Sequence, residues 1–172
     1  MKLPALALGF TLVELMVVIA VVAISLAIAV PNFAQFVDTN RFQSLSSALI
    51  ADMANARAEA IRRGSYMGIC ASTDGSSCSG SGADWSRGWI VFVDINQDGT
   101  PVASAILQVQ NLGGTAVASG TSGFRFVPSG EVRGLSSGGV RIGNSVAITL
   151  TNTTSNASKT ISVAPYGLIR GN

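Results

Sequence analysis

The sequence contains no histidine, only two cysteines and few charged residues. Of its 172 residues, 12% are Asp, Glu, Lys or Arg, and the net charge is +2. The absence of histidine removes the commonest general base, the commonest metal ligand and the middle member of a Ser/His/Asp triad. The small and dispersed charge gives no strong compositional reason to expect a nucleic acid or an acidic partner. We therefore expect no enzymatic activity, no cofactor and no small-molecule substrate.

Apolar residues are concentrated near the N-terminus. Residues 15–30 carry no charge, and Ser25 is their only polar residue. As a helix, residues 10–30 would span about 31 Å, which matches a bilayer core of about 30 Å. Lys2 precedes this run, which favours a cytoplasmic N-terminus with the remainder of the chain outside. Beyond Pro31 the sequence is rich in Gly, Ser, Thr and Asn, as in a domain exposed to water.

Two general interpretations compete for the apolar run. A secretory signal peptide is the first, because residues 27–29 form a small-x-small cleavage site. However, the run exceeds the roughly 7–15 apolar residues of such signals, and Glu14 interrupts its start. A plain membrane anchor is the second interpretation. A charge deep in a bilayer costs on the order of 3 kcal/mol. The cost is smaller near the membrane surface, but a plain membrane anchor does not explain why Glu14 is present.

Residues 9–16, with the sequence Gly-Phe-Thr-Leu-Val-Glu-Leu-Met, resemble the processing signal of type IV pilins and type II secretion pseudopilins. In that superfamily a dedicated peptidase cuts after the glycine on the cytoplasmic side, methylates the new N-terminal Phe and leaves the apolar helix in place. The resemblance implies cleavage between Gly9 and Phe10 and N-methylation of Phe10. It also implies that Glu14 sets the assembly and register of neighbouring subunits. Pro31 falls where many pilins have a helix-kinking proline.

A second helical pattern follows Pro31. Apolar residues recur at steps of three and four, which places them on one helix face; they are Phe42, Leu45, Leu49, Met53, Ala56 and Ala60. Residues 62–64, Arg-Arg-Gly, are typical of a helix C-terminus. If Pro31 only kinks the helix, it runs from about residue 10 to residue 63 and is about 80 Å long. A globular core of this size does not need such a helix, whereas a fibre uses stacked helices as its axis.

The remainder of the chain reads as short strands separated by turns. The predicted strands are residues 66–71, 88–94, 105–110, 123–127, 145–151 and 159–164, and the last two should form a hairpin. We expect an α+β fold in which a long N-terminal helix, half transmembrane and half amphipathic, packs on one small antiparallel sheet.

The predicted domain organisation follows from these elements. It comprises a leader peptide (1–9), a transmembrane and assembly helix (10–31) and a periplasmic domain (32–172). Within that domain, residues 32–63 form the amphipathic helix and residues 65–172 are β-rich.

The two cysteines, Cys70 and Cys78, are separated by seven residues that include Gly and Ser. This composition would let the chain fold back on itself. If the domain lies outside the cytoplasm, a disulfide is favoured, and a loop this short is worth roughly 2–3 kcal/mol. Two free thiols are the alternative. Two cysteines without any histidine are too few for a zinc site.

Further segments resemble one branch of the pilin superfamily. Residues 57–64, 69–78 and 85–92 resemble the FimT/GspH branch, and residues 124–130 and 160–170 resemble its later strands more loosely. The branch comprises minor pilins of type IV pili and the H-type minor pseudopilin of type II secretion. Its members lie at or near the fibre tip and help initiate assembly.

This resemblance implies a structural subunit that initiates or caps assembly of a type IV pilus, which serves twitching, adhesion or DNA uptake. An H-type minor pseudopilin of a type II secretion system is the alternative. The implied partners are other minor and major pilins or pseudopilins, the prepilin peptidase and the inner membrane. The implied location is the bacterial inner membrane, with a single span, a periplasmic domain and later incorporation near the fibre tip.

DNA binding in natural transformation is a further alternative. Some FimT-like members bind DNA through a basic C-terminal tail of the Gly-Arg-x-Arg type. Here the corresponding residues 167–170 are Gly-Leu-Ile-Arg, so leucine replaces one arginine of that pattern. Arg170, together with Arg133 and Arg141 in Gly-rich loops, could form a small phosphate-binding patch.

One segment matches part of a calcium-binding loop. Asp94, Asn96 and Asp98 match the opening of an EF-hand loop, but the twelfth position, which should be Glu, is Ala105. Strand patterns on both sides favour a hairpin turn held by Asx side-chain hydrogen bonds instead. We therefore expect no metal.

The two tryptophans have two interpretations. Trp85 and Trp89 could be exposed binding aromatics. Trp89 stands beside Ile90 and Phe92, which favours a place for it in the core.

Overall fold

A computed structural model describes residues 9–80, 85–111 and 116–172, apart from the side chains of Pro31 and Asn32. The predicted leader peptide lies outside these residues except for Gly9. The chain divides into two compact units, Met1–Val37 and Asp38–Asn172. A single helix, α1, spans Leu12–Arg63, close to the prediction. The expected kink at Pro31 stays a prediction.

In the described residues, nine strands follow the helix. They are β1 (Met67–Ala71), β2 (Gly88–Val93), β3 (Ile106–Asn111), β4 (Ala116–Gly120), β5 (Gly123–Phe126), β6 (Val132–Gly134), β7 (Val146–Asn152), β8 (Ser158–Val163) and β9 (Ile169–Gly171), with a short 3-10 turn at Ala103–Ala105. The six predicted strands are all present, each within one residue of its predicted bounds, and β7 and β8 form the predicted hairpin.

The expectation of one sheet is wrong, because the strands form two. One sheet has the order β3-β2-β1-β5-β6 and the other the order β4-β7-β8-β9, with antiparallel pairing throughout. The chain leaves the second sheet after Gly120 and enters the first at Gly123. The sequence concealed this division because β4, Ala-Val-Ala-Ser-Gly, has low strand propensity, and β6 and β9 have only three residues each.

The predicted apolar face of α1 is the centre of the folded domain. All six of its residues, Phe42, Leu45, Leu49, Met53, Ala56 and Ala60, are buried. They form one core with inward-facing residues of both sheets, including Ile69, Phe124 and Ile148. Trp85 and Trp89 are fully buried in the same core. Trp89 is therefore a core residue as predicted, and neither tryptophan is an exposed binding aromatic.

The opposite face of the five-stranded sheet is also covered. Cys70, Ile90 and Phe92 form a second, smaller apolar cluster, against which Cys78 and Leu135 pack. The ring of Phe92 lies over Gly68, where an added Cβ would come within 2.3 Å of it. Because strand residues alternate between faces, this cluster lies on the side of the sheet away from α1.

The C-terminal end of α1 agrees with the prediction. Gly64 adopts φ +60°, and the N–H of Ser65 donates to the carbonyl of Ala60 at 3.2 Å, which is a Schellman arrangement. Hydrogen bonds from Arg62 and Arg63 lower the pKa of Glu59 to about 2. Their stabilising effect is complete above the ordinary pKa of 4.5 and is lost as the pH falls towards 2. It is small, because these side chains are exposed.

Asp52 is a buried polar residue of α1 that the sequence pattern did not reveal. It is only 5% exposed. Its two carboxylate oxygens accept hydrogen bonds from Trp89 Nε1 and from Gln108 Nε2, each at 2.8 Å. These bonds connect α1 to β2 and to the edge strand β3, and thereby fix the position of the helix on the first sheet.

Replacing Asp52 by alanine should therefore destabilise the domain. Asp52→Ala leaves two donors without their acceptor, so we expect the free energy of unfolding to fall by about 2–3 kcal/mol. Chemical denaturation followed by tryptophan fluorescence measures this. Asn55→Ala, at an exposed position of the same helix, is the control and should change stability by no more than about 0.5 kcal/mol. Equal stability of the two variants would contradict the structural role of Asp52.

Candidate functional site

The N-terminal part of α1 exposes its large apolar side chains. Between Leu12 and Val30, the Leu, Ile, Val and Met side chains are 48% to 74% exposed. The helix is long and apolar enough to cross a membrane, and none of its most apolar window, with mean hydropathy 2.8, is buried within the chain. A soluble monomer rarely exposes a contiguous apolar surface of this size. This surface therefore needs lipid or other protein chains around it.

Glu14 lies in the first turn of α1. Its N–H donates to Thr11 Oγ1 at 3.2 Å, so the Thr11 hydroxyl caps the first turn of the helix. A negative charge is favourable at this end of a helix because of the helix dipole. Local helix chemistry thus accommodates Glu14, while its side chain stays exposed and accessible to a group from another chain.

The predicted cleavage position precedes the helix. Gly9 and Phe10 are exposed and have no regular secondary structure, and Phe10 is 77% exposed. A peptidase needs an accessible peptide bond outside regular structure, and the bond between these residues meets that requirement. Within the apolar run that follows, the hydroxyl of Ser25 donates to the carbonyl of Val21 at 2.8 Å, so it is satisfied inside the helix.

The predicted disulfide is confirmed. Cys70 and Cys78 are bonded, with their Cα atoms 5.5 Å apart. Cys70 lies in β1, and Cys78 lies in the loop that follows. The side chain of Asp74 organises this loop by accepting hydrogen bonds from the backbone N–H groups of Ser76 and Ser77 at 2.9 and 2.8 Å. The hydrogen bond from the Ser77 hydroxyl, together with these backbone bonds, lowers the pKa of Asp74 below its usual value.

Two of the three calcium candidates make hydrogen bonds or an ion pair within the chain. Asp94 is buried, and one of its oxygens pairs with Arg125 Nη1 at 2.5 Å, while the other accepts the N–H of Gly99 at 3.2 Å. Asp98 accepts the N–H of Thr100 at 2.8 Å, and Asn96 is exposed. Arg125 neutralises the negative charge of Asp94, which a bound cation would otherwise neutralise. The residues instead form the Asx-bonded turn between the paired strands β2 and β3.

The three arginines proposed for DNA binding are only partly brought together. Arg133 and Arg141 form an isolated β-bridge, but Arg141 pairs with Glu131 at 3.1 Å, which reduces its attraction for phosphate. Arg170 lies in β9, a strand of the other sheet. The geometry therefore adds no support to a phosphate-binding patch made of all three.

Arg57 is an organising residue that sequence reasoning did not single out. Its Nε donates to the carbonyl of Gly130 at 3.1 Å, and its Nη2 donates to the carbonyl of Tyr166 at 3.3 Å. These acceptors are 73 and 109 residues away in the sequence. No local pattern could have identified them.

These features together define a class of protein. A helix with an exposed apolar N-terminal part and a C-terminal part buried on antiparallel sheets, preceded by an accessible Gly-Phe bond, is the architecture of a type IV pilin-like subunit. The comparison with protein families agrees. Residues 45–167 match the family described as type II transport protein GspH, and residues 7–30 match the prokaryotic N-terminal methylation motif. The chain belongs to the GspH family of pilin-like proteins.

Solved structures show the same fold at low identity. The type IV minor pilin FimU of Pseudomonas aeruginosa, in two crystal forms, is 18% identical with a TM-score of 0.56. The alignments cover 76% and 80% of this chain and 91% and 92% of the FimU chains. The minor pseudopilin EpsH from the type 2 secretion system of Vibrio cholerae is 13% identical with a TM-score of 0.50, over 75% of this chain and 93% of its own. No curated protein sequence matches the chain.

The comparisons confirm the resemblance and the α+β pilin-like fold. The family and the structural neighbours are structural subunits rather than enzymes, in agreement with the expectation from composition. The methylation motif and the exposed apolar helix fit a membrane-anchored subunit. Membership of this family implies assembly with other pilins or pseudopilins.

Proposed function

We propose that this chain is a minor pilin that initiates or caps assembly of a type IV pilus. The observation that carries the proposal is the exposed apolar part of α1, which begins at Leu12, contains Glu14 in its first turn and follows the accessible Gly9–Phe10 bond. Such a helix can lie first in the membrane and then among the helices of a fibre. An H-type minor pseudopilin of a type II secretion system is the alternative function, because the same architecture serves both kinds of fibre.

In this proposal the prepilin peptidase removes residues 1–9 on the cytoplasmic side and methylates the amine of Phe10. Residues 10–31 then anchor the protein in the inner membrane, and residues 32–172 form the periplasmic domain. The Cys70–Cys78 disulfide supports this orientation, because disulfides persist in the periplasm and are rare in the cytoplasm. From the membrane, the subunit would enter the fibre near its tip.

Glu14 gives the helix a means of recognising its neighbour. Cleavage creates a positive charge, the α-amine of Phe10. A carboxylate in an apolar surrounding is tolerated when an opposite charge neutralises it. Pairing of Glu14 with the amine of an adjacent subunit would relieve the cost of the buried charge and set the axial register between the two helices.

Processing is the first test of this proposal. The mature protein should begin at an N-methylated Phe10 and retain the whole apolar helix. Mass spectrometry of the N-terminal peptide from the membrane fraction determines this. A mature protein that begins at Val30 would instead establish a secretory signal peptide.

The second test concerns Glu14. Glu14→Ala should leave processing and membrane insertion intact, because a less polar helix inserts more easily. Crosslinking to partner pilins should fall about tenfold if the lost pairing is worth about 1.4 kcal/mol. Ser25→Ala is the matched control, since that hydroxyl bonds only within its own helix; it should crosslink normally. Membrane fractionation verifies insertion, and normal crosslinking by Glu14→Ala would show that the carboxylate has no role in assembly.

Deletion of the gene separates the two kinds of fibre. If the protein serves a pilus, the deletion strain should lose surface pili and twitching and should still release exoproteins. The reverse phenotype would assign the protein to type II secretion. Complementation with the wild-type chain is the control, and a strain unaffected in both assays would argue against either function.

A further inference from the structure

A groove of about 390 Å³ lies along α1 in the folded domain. We name it the Arg57 groove; it is lined by Ala54, Arg57, Tyr166, Gly167, Leu168 and Ile169. Its walls are largely apolar and open to solvent, since Tyr166 is 63% exposed and Leu168 is 40% exposed. Ile61, one helical turn beyond Arg57, is a further exposed apolar side chain, 49% accessible. The surface thus combines apolar contact area with one cationic group.

The guanidinium of Arg57 is held in place but not neutralised. Two of its nitrogens donate to the backbone carbonyls of Gly130 and Tyr166, and both acceptors are uncharged. Among the residues that the structure describes, no carboxylate lies within salt-bridge distance of Arg57. An arginine has five N–H donors, so donors remain for a group that enters the groove.

The turns around Arg57 are shaped to fit it closely. An added Cβ at Gly167 would approach Arg57 Nε to 2.3 Å, and one at Gly130 would approach the same atom to 3.2 Å. Both glycines have positive φ, +86° and +80° respectively, a conformation that favours glycine. The guanidinium is therefore fixed before any partner arrives, which lowers the entropic cost of binding.

A neighbouring cleft provides an internal comparison. This cleft, of about 250 Å³, shares Tyr166 with the Arg57 groove and is lined by both Arg141 and Glu131. There the arginine pairs with the glutamate at 3.1 Å, so its charge is compensated within the chain. The Arg57 groove has the cation without the carboxylate. By charge complementarity, the missing carboxylate should come from another molecule.

We propose that the Arg57 groove binds a segment of a neighbouring pilin or pseudopilin subunit that carries one carboxylate beside an apolar side chain. The carboxylate pairs with Arg57, and the apolar side chain packs against Leu168 and Ala54. This inference rests on the proposed function, which supplies the class of partner. A single arginine between apolar walls suits one carboxylate, whereas nucleic acid binding depends on several cations along a phosphate backbone.

The test uses photo-crosslinking of the full chain in its own cells. A photoreactive p-benzoylphenylalanine at Tyr166 reports on the groove, and the same group at Ile24 reports on helix assembly. The Tyr166 probe should crosslink to a pilin segment that mass spectrometry finds to contain Asp or Glu. Arg57→Gln should lower the yield about tenfold, whereas Arg62→Gln, on the same helix and paired with Glu59, should leave it unchanged.

A second pair of variants leaves the hydrogen bonds from Arg57 to the carbonyls of Gly130 and Tyr166 in place. Leu168→Asp places a competing carboxylate in the groove and should abolish crosslinking from Tyr166. Leu168→Lys removes the same apolar side chain but adds no carboxylate that could compete for Arg57, so it should retain a larger share of the yield than Leu168→Asp. If Arg57→Gln fails to fold, the contrast between these two variants at Leu168 decides the question.

The outcomes separate this inference from the function on which it rests. Pilin crosslinks from Ile24 without any from Tyr166 would overturn the groove proposal and leave the proposed function standing. Crosslinks from Tyr166 to DNA, to lipid or to a segment without a carboxylate would also overturn it. Equal yields for Leu168→Asp and Leu168→Lys would do the same. Failure of both probes to crosslink a pilin would overturn both proposals.

Discussion

The fold depends above all on the burial of one face of α1 against two sheets. Leu49, Met53 and Ala60 are completely inaccessible and lie in a single core with side chains from both sheets. Removal of apolar surface from water is the dominant favourable term in folding. Neither sheet has a comparable apolar partner elsewhere in the described residues. The helix therefore provides the common surface on which strands distant in sequence are assembled.

Polar contacts then fix how these layers are placed. Asp52 connects the helix to β2 and β3, and Asn152 Nδ2 donates to Asp38 at 2.8 Å, which connects the start of the domain's helix to β7. On the far side of the first sheet, Arg125 joins Asp94 to the carbonyl of Ser136. Such buried groups are costly unless they are paired. They consequently favour one arrangement of the helix, the strands and the loops that carry them.

The two parts of α1 differ in where their apolar side chains are buried. From Phe42 onward, its apolar face is satisfied within the chain. Before Val30, its apolar side chains are exposed on all sides, so the isolated chain leaves this apolar surface unburied. A lipid bilayer, or the helices of other subunits, can supply the missing apolar surroundings. Two charged side chains show the same property. Among the described residues, neither Glu14, near the beginning of this segment, nor Arg57, in the domain, forms a salt bridge.

The sequence by itself determined the local features of this protein. The apolar run, the helical period from Phe42 to Ala60, six strands and the nearness of Cys70 to Cys78 depend on residues close together in the chain. The motif at residues 9–16 indicated the family. Only the tertiary structure decided the division into two sheets, the burial of Asp52, the pairing of Asp94 with Arg125 and the position of Arg57 beside Tyr166. These depend on contacts between residues far apart in the sequence, which periodicity and propensity do not encode.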